Sequence, residues 1–258
     1  MQQNFQDAMA IVSKFGRLDL FLTFTCNPKC QDILDALPPN QQPQDRPDIV
    51  SRVFKQHLQE LLHDIRVKHV LGIPVAFVYV IEFQKRGLPH SHLLIILAEG
   101  SKLKEPSDID AHISAEIPDP HSHQQLFNII KTSMVHGPCG VLNRSSPCML
   151  DGSCSKDYPK AFKDETSLAT NGYPLYRRRD NGRTIVLGEH EVDNRWIVPY
   201  NPYLTQKYNA HINLKACTSI KSVKYLFKYV YKEHDSANVQ VTQTDEITHD
   251  EVHTFIED

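Results

Sequence analysis

No segment of the 258-residue chain is apolar for long enough to span a bilayer; the longest apolar runs, Val75 to Ile81 and Leu93 to Ala98, are of strand length. The N-terminus lacks the basic-then-apolar order of a secretory signal, so the chain is expected to work inside a cell. An excess of positive charge is missing too. Lys and Arg number 28 against 31 Asp and Glu, a formal net charge of -3, which argues against a protein that coats nucleic acid by bulk charge and leaves phosphate binding to local clusters. The sequence contains no G-x-x-x-x-G-K-[ST] phosphate loop, so ATP hydrolysis is not expected of it. It has no internal repeat and no low-complexity tract. Its six cysteines, in an intracellular chain, read as free thiols or metal ligands rather than as a disulfide framework.

What is present is an ordinary globular composition, with 40% hydrophobic and 23% charged residues. The length suits one large domain, or a compact catalytic domain with a smaller module. Residues 1 to 17 read as helical. Leu20 to Thr25 read as a strand that stops at the Asn27-Pro28 turn, and the Pro-, Gln- and Asp-rich stretch 35 to 48 reads as a surface loop. Over 49 to 70, Val53, Leu58, Leu61, Leu62 and Ile65 recur at roughly helical spacing before Gly72 and Pro74 end the run. Two apolar runs, 75 to 83 and 92 to 97, flank "QKRGLP" and predict an antiparallel hairpin. A polar, proline-containing stretch (100 to 125) and a helix (126 to 135) should follow. Residues 136 to 195, rich in Gly, Pro, Cys and Arg, read as an irregular insertion, and a last helix is expected over 219 to 232, capped by Thr218 or Ser219.

Two pairs of residues carry the chemistry. His90 and His92 lie two apart on a predicted strand, so both imidazoles project from one face. Glu82 and Gln84 on the neighbouring strand have the parity to reach the same point. Two neutral imidazoles and an oxygen ligand suit a divalent ion with positions left open for substrate. Tyr225 and Tyr229 lie four apart on the last predicted helix, one above the other, with Lys221, Lys228 and Lys232 flanking them for phosphate. Each pair alone has a plain packing explanation; their company points to a site. A phenol with a pKa of about 10 is a weak nucleophile at neutral pH and needs electrophilic help at the phosphorus it attacks.

Two lesser constellations remain. His136, Cys139, Cys148 and Cys154, spaced H-x2-C-x8-C-x5-C, are a candidate zinc set that would staple the insertion, with unliganded thiols as the alternative. Arg177, Arg178 and Arg179, with Tyr173, Tyr176 and Trp196 as stacking faces, form the best basic patch for an unpaired strand, against the alternative of a solvated loop. His211 and Asn213 could sit near the site but read more simply as packing, and Cys26, Cys30 and Cys217 read as core or surface residues rather than ligands.

An acid eight positions before the first His, a Gly turn and a Pro directly before that His resemble the HUH replication initiators of rolling-circle viruses and plasmids. That resemblance implies Glu82 as third ligand, with Gln84 as the alternative; Ser91 stands where the family has a hydrophobic residue. Beyond the hairpin, "FLTFTCNPK", "RPDIVSRVF", "EFQKRGLPHSH", "HGPCG", "NGYPLYRRRD", "DNRWIVPYNPYL", "HIN" and "KYLFKYVYK" in this order resemble the Rep domain of Helitron transposases, also called the Helitron helicase-like N-terminal domain. The resemblance implies an α+β fold with a central antiparallel sheet of about five strands flanked by helices. Its Rep domain would cover 1 to 235, including the 136 to 195 insertion, and residues 236 to 258 would lead towards a helicase that the family carries downstream. It implies catalytic Tyr225 and Tyr229, Mg or Mn on His90, His92 and Glu82, DNA contacts from Lys228, Lys232 and the arginine run, single-stranded DNA as partner and a nuclear location. The implied reaction is nicking and strand transfer through a 5'-phosphotyrosine in rolling-circle transposition. The alternatives are an inactive single-stranded DNA-binding relic and a metal-dependent hydrolase that uses water. Cys30, Lys215 and Glu233 depart from the pattern at positions to which no catalytic role is assigned. The missing phosphate loop fits a fragment or decayed copy.

Overall fold

Alternating side chains set the centre of the molecule. The computed structural model describes residues 13–83, 87–169, 173–217 and 237–241. In chain order it contains strand β1 (Leu20–Thr25), helices α1 (Gln31–Ala36) and α2 (Pro47–Arg66), and the hairpin β2 (Pro74–Phe83) and β3 (Pro89–Leu97). Helices α3 (Pro106–His112) and α4 (Gln124–Ser133) follow. Three ribbons come next: β4 (Met149–Leu150) with β5 (Ser153–Cys154), β6 (Ser167–Leu168) with β7 (Pro174–Leu175), and β8 (Ile185–Leu187) with β9 (His190–Val192). The described chain closes with α5 (Pro202–Tyr208), β10 (His211–Ala216) and β11 (Ala237–Val241).

The main sheet has five antiparallel strands in the order β10-β1-β3-β2-β11, so the expected α+β class and strand number hold. Leu22, Phe24, Leu93, Ile95, Ile212 and Leu214 pack on one side with Val50, Phe54, Leu58, Leu61 and Ile65 of α2. Those helix residues recur at three- and four-residue intervals, which turns one stripe of α2 onto the sheet. Pro47 suits the first helical turn, where its missing N–H has no partner to lose.

One polar residue interrupts that stripe. Asp64 is fully buried, yet it accepts from the Tyr208 hydroxyl at 2.7 Å, pairs with Lys68 at 2.8 Å and receives the Lys207 ammonium. The contacts from Tyr208 and Lys207 tie α5 to α2, and thereby set where β10 begins.

Away from the sheet, a second core joins Leu126, Ile130 and Met134 to Cys139, Cys154, Ile185, Val192 and Trp196. The 136 to 195 segment is irregular as expected, but it buries its apolar residues by sharing α4. Trp196, expected as a stacking face for a base, is 5% exposed and belongs to this core. The stretch 100 to 125 is more ordered than its polarity suggests, because α3 and the residues after it bury Ile109, Ile113 and Ile117. The helices expected over 49 to 70 and 126 to 135 occupy 47 to 66 and 124 to 133. Of the N-terminal helix, residues 13–15 are helical; the rest of it and the helix expected over 219 to 232 lie outside the described residues. Among the described residues, no helix is long and apolar enough to cross a membrane.

Burial alone would raise the Asp64 carboxyl, but the hydrogen bonds from Lys207, Lys68 and Tyr208 outweigh it and hold the group below the usual carboxylate range. A depressed folded pKa gives stability that is present above the unfolded value of about 3.9 and is lost as pH falls through the folded value. Asp64→Asn should therefore cost about 2 to 3 kcal/mol at neutral pH and flatten the acid limb of the stability curve. Denaturant titration of both proteins across pH 2 to 7 checks this.

Candidate metal centre and the cavity beside it

Register brings the first site together. Thr25 faces His90 and His90 faces Glu82, while Thr23 faces His92 and His92 faces Val80. Residues directly opposite in antiparallel strands share a face, so Glu82, His90, His92, Thr23 and Thr25 all project from the side away from α2. The hairpin turn makes this possible with Gly87 at φ +77°, in the left-handed region that other side chains resist. Pro89 opens β3, where a missing N–H is tolerated, and its carbonyl accepts from Cys26 N at 3.0 Å.

One ligand-type atom from each of Glu82, His90 and His92 lies within 4.8 Å of the others. The His90 and His92 ring centroids are 5.2 Å apart, and His92 Nε2 is 3.7 Å from Glu82 Oε2. Nitrogen and oxygen donors each about 2.1 Å from one ion sit about 3 to 4 Å apart, and the His92–Glu82 distance falls in that range. His92 is almost wholly buried and doubly fixed. Its Nδ1 is 3.0 Å from the Thr23 hydroxyl, and its ring stacks on Phe21 with centroids 5.7 Å apart. With Nδ1 engaged, Nε2 is the nitrogen turned towards Glu82. Parity in "LFLTFT" puts Thr23 and Phe21 on one face, but only the pairing of β1 with β3 sets them beside His92. Gln84, Tyr225, Tyr229, Lys228 and Lys232 lie outside the described residues.

Phe21 and Thr23 also line a cavity of about 940 Å³ over the β1–β10 edge of the same face. Its other walls include Lys156, Tyr158, Lys160, Tyr173 and Tyr176. Burial pushes the Lys160 ammonium down from its ordinary value, whereas the imidazole of His211, another lining residue, is lowered by burial and bonded through Nδ1 to the Ser133 carbonyl at 2.6 Å. His211 is thus tied to α4, in keeping with the packing role expected of it. Of the core and surface alternatives for Cys26, Cys30 and Cys217, all three are buried.

The arginine run needs correcting. Arg178 is 3% exposed, and its Nη1 donates to the carbonyls of Ala115 at 3.2 Å and Asn194 at 2.5 Å. Arg179 forms a two-pronged pair with Glu116 at 2.9 and 2.6 Å, and Arg177 pairs with Asp110 at 3.2 Å. These side chains hold the insertion against the 110 to 119 segment. Tyr176 likewise receives the Ala216 N–H on its hydroxyl at 2.9 Å. A charge run in a loop looks solvated in sequence because its partners are some 60 residues away.

The second candidate set also converges. His136, Cys139, Cys148 and Cys154 bring one ligand-type atom each within 4.8 Å of one another.

Against known proteins, residues 1–95 match the family described as the Helitron helicase-like domain at the N-terminus. The match covers 95 of 258 residues, includes Glu82, His90 and His92, and ends before the insertion. No curated protein matches the chain.

Thr23→Val keeps the shape of the side chain and removes the hydroxyl that orients His92. It should weaken Mn(II) binding about tenfold, the size of effect usual for a group that orients a metal-bound His, while His90→Ala abolishes it; Mn(II) paramagnetic resonance on the two variants checks both. Arg178→Ala should destabilise the fold by about 2 to 4 kcal/mol through the orphaned carbonyls and lost packing, seen as a lowered denaturation midpoint.

Proposed function

We propose that this chain is a metal-dependent nuclease of the HUH type that nicks and rejoins single-stranded DNA in Helitron rolling-circle transposition. The reading rests on one observation above all. Glu82, His90 and His92 converge at the hairpin end of the sheet, inside a segment that matches the Helitron helicase-like N-terminal domain.

A carboxylate and two imidazoles without a thiolate can hold a divalent cation with positions left open, and Mg or Mn is assigned to it for the phosphodiester chemistry proposed. Bound there, the ion would supply charge neutralisation on the oxygens of a phosphodiester. Thr23 keeps His92 in one orientation, and Phe21 closes one side of its ring against water. The cavity next to His92 offers tyrosine faces for unpaired bases and the ammonium groups of Lys156 and Lys160 for backbone phosphates.

The nucleophile is assigned to Tyr225 or Tyr229. The phenol oxygen attacks phosphorus in line as the bond from phosphorus to the 3'-oxygen breaks. The phenol loses its proton, the departing 3'-oxygen gains one, and the 5'-phosphate is left esterified to tyrosine. Rejoining reverses the exchange, with a 3'-hydroxyl attacking the phosphotyrosine. Two tyrosines allow two strand ends to be held at once. Lys228 and Lys232 are assigned to the phosphates beside them.

Incubation of the chain with labelled single-stranded oligonucleotide and Mn(II), followed by a denaturing gel, tests this. A covalent protein-DNA species is expected, lost in the double variant Tyr225→Phe/Tyr229→Phe and in His90→Ala. Cleavage without a covalent species would mark a hydrolase, and binding without cleavage a relic; either result overturns the proposal.

A further inference from the structure

The Cys/His cluster of the insertion takes no part in that reaction, and its surroundings are those of a metal centre. The hairpin of β4 and β5 turns at Asp151-Gly152, both with positive φ (50° and 81°), the two-residue turn that matches the twist of paired strands. It brings Cys154 back beside Cys148, and the Ser155 N–H donates to the Cys148 carbonyl at 2.8 Å. His136 enters from the end of α4, held by its own N–H on the Trp196 carbonyl at 2.8 Å. The ring stacks on Tyr158 with centroids 4.1 Å apart, and its Nε2 lies 3.5 Å from Cys154 Sγ.

Zinc bound to sulfur at about 2.3 Å and to nitrogen at about 2.0 Å in a tetrahedron keeps its ligand atoms about 3.3 to 3.8 Å apart, and the His136–Cys154 distance falls in that range. The sulfurs also receive the contacts of a thiolate site. The Lys156 N–H points to Cys154 Sγ at 3.4 Å, and the Ser146 hydroxyl lies 3.3 Å from Cys148 Sγ. Three soft sulfurs and one imidazole select zinc over Mg or Mn, and four protein ligands leave no position for substrate. All six cysteines are free thiols, so no disulfide competes for these sulfurs.

We propose that His136, Cys139, Cys148 and Cys154 bind a single structural zinc ion that fixes the Ser155–Lys160 segment as a wall of the cavity beside His92. Ser155, Lys156, Asp157, Tyr158 and Lys160 all line that cavity and follow directly on Cys154. His136 lines it as well. The segment contains little regular structure of its own and is tied otherwise by the Lys160 N–H on the Arg195 carbonyl at 3.0 Å and by Tyr158 on the second core, so the ion would add the anchor at its Cys154 end.

The test uses the full chain. Elemental analysis of the purified protein should find one zinc per chain, retained in His90→Ala and lost in Cys148→Ser. Should Cys148→Ser not fold, cobalt exchanged into the wild-type protein provides the same decision, because a tetrahedral site of three sulfurs and one nitrogen gives intense visible bands and a thiolate-to-cobalt band. Trp196 is the single tryptophan of the sequence, and its ring centroid lies 6.5 Å from that of His136, so chelation should shift its emission. Hydrogen exchange should show residues 155–160 losing protection on zinc removal. Zinc that disappears with His90→Ala but stays in Cys148→Ser would locate the ion at the other cluster and overturn the proposal. So would cobalt spectra without thiolate character, or 155–160 protection unchanged by chelation. None of these readouts depends on nuclease activity, so the zinc proposal and the proposed reaction stand or fall separately.

Discussion

The pairing of β2 with β3, and of β3 with β1, is the constraint on which the rest of this molecule depends. Side chains alternate along a strand with a period of two, so a slip of one residue in β3 would exchange His90 and His92 for Ser91 and Leu93 on the metal face. Burial of Leu93 and Ile95 against α2 prevents that slip. The apolar side of the sheet therefore enforces the geometry of the polar side: each leucine seated under α2 also holds an imidazole in place on the opposite face.

The same coupling explains why the polar residues closest to the site are half hidden. His92 is almost wholly buried and stacks on Phe21. The Thr23 hydroxyl compensates one ring nitrogen and the other faces Glu82. A neutral, oriented imidazole is the form that ligates metal. Asp64 shows the opposite solution to burial: an ionised carboxylate is retained because two ammonium groups and a phenol surround it.

Much of this was legible in the sequence, and the reason lies in the range of the interactions. The hairpin, the helix over 47 to 66 and the pairing of Glu82 with His90 follow from periodicity and one turn, all within about 20 residues. The H-x2-C-x8-C-x5-C set was legible because its members lie within 19 positions. Arg178 was misread as surface because its Ala115 partner is 63 residues away and no turn or periodicity in the insertion announces the nearer one, Asn194. Trp196 failed because its core draws on Leu126 and Ile130 of α4 as well as on its neighbours Val192 and Ile197. Thr23 stood in plain view, but only the register of β1 on β3 shows that it meets His92.

The two clusters divide the work by ligand chemistry. A carboxylate with two imidazoles, beside the Phe21 and Thr23 wall of the cavity, would leave a divalent cation room for another oxygen ligand; three thiols with an imidazole, packed against Tyr158 and close to Trp196, would close a soft cation off. Phe21 and Thr23 join the two, since each touches His92 and also lines the cavity whose far wall follows Cys154. Displacement of the Ser155–Lys160 wall would open that cavity without moving a single ligand of the first centre. On the proposed function, metal affinity at Glu82, His90 and His92 would thereby be separable from contacts made in the cavity, and a loss of the second with the first intact would trace to the insertion rather than to the sheet.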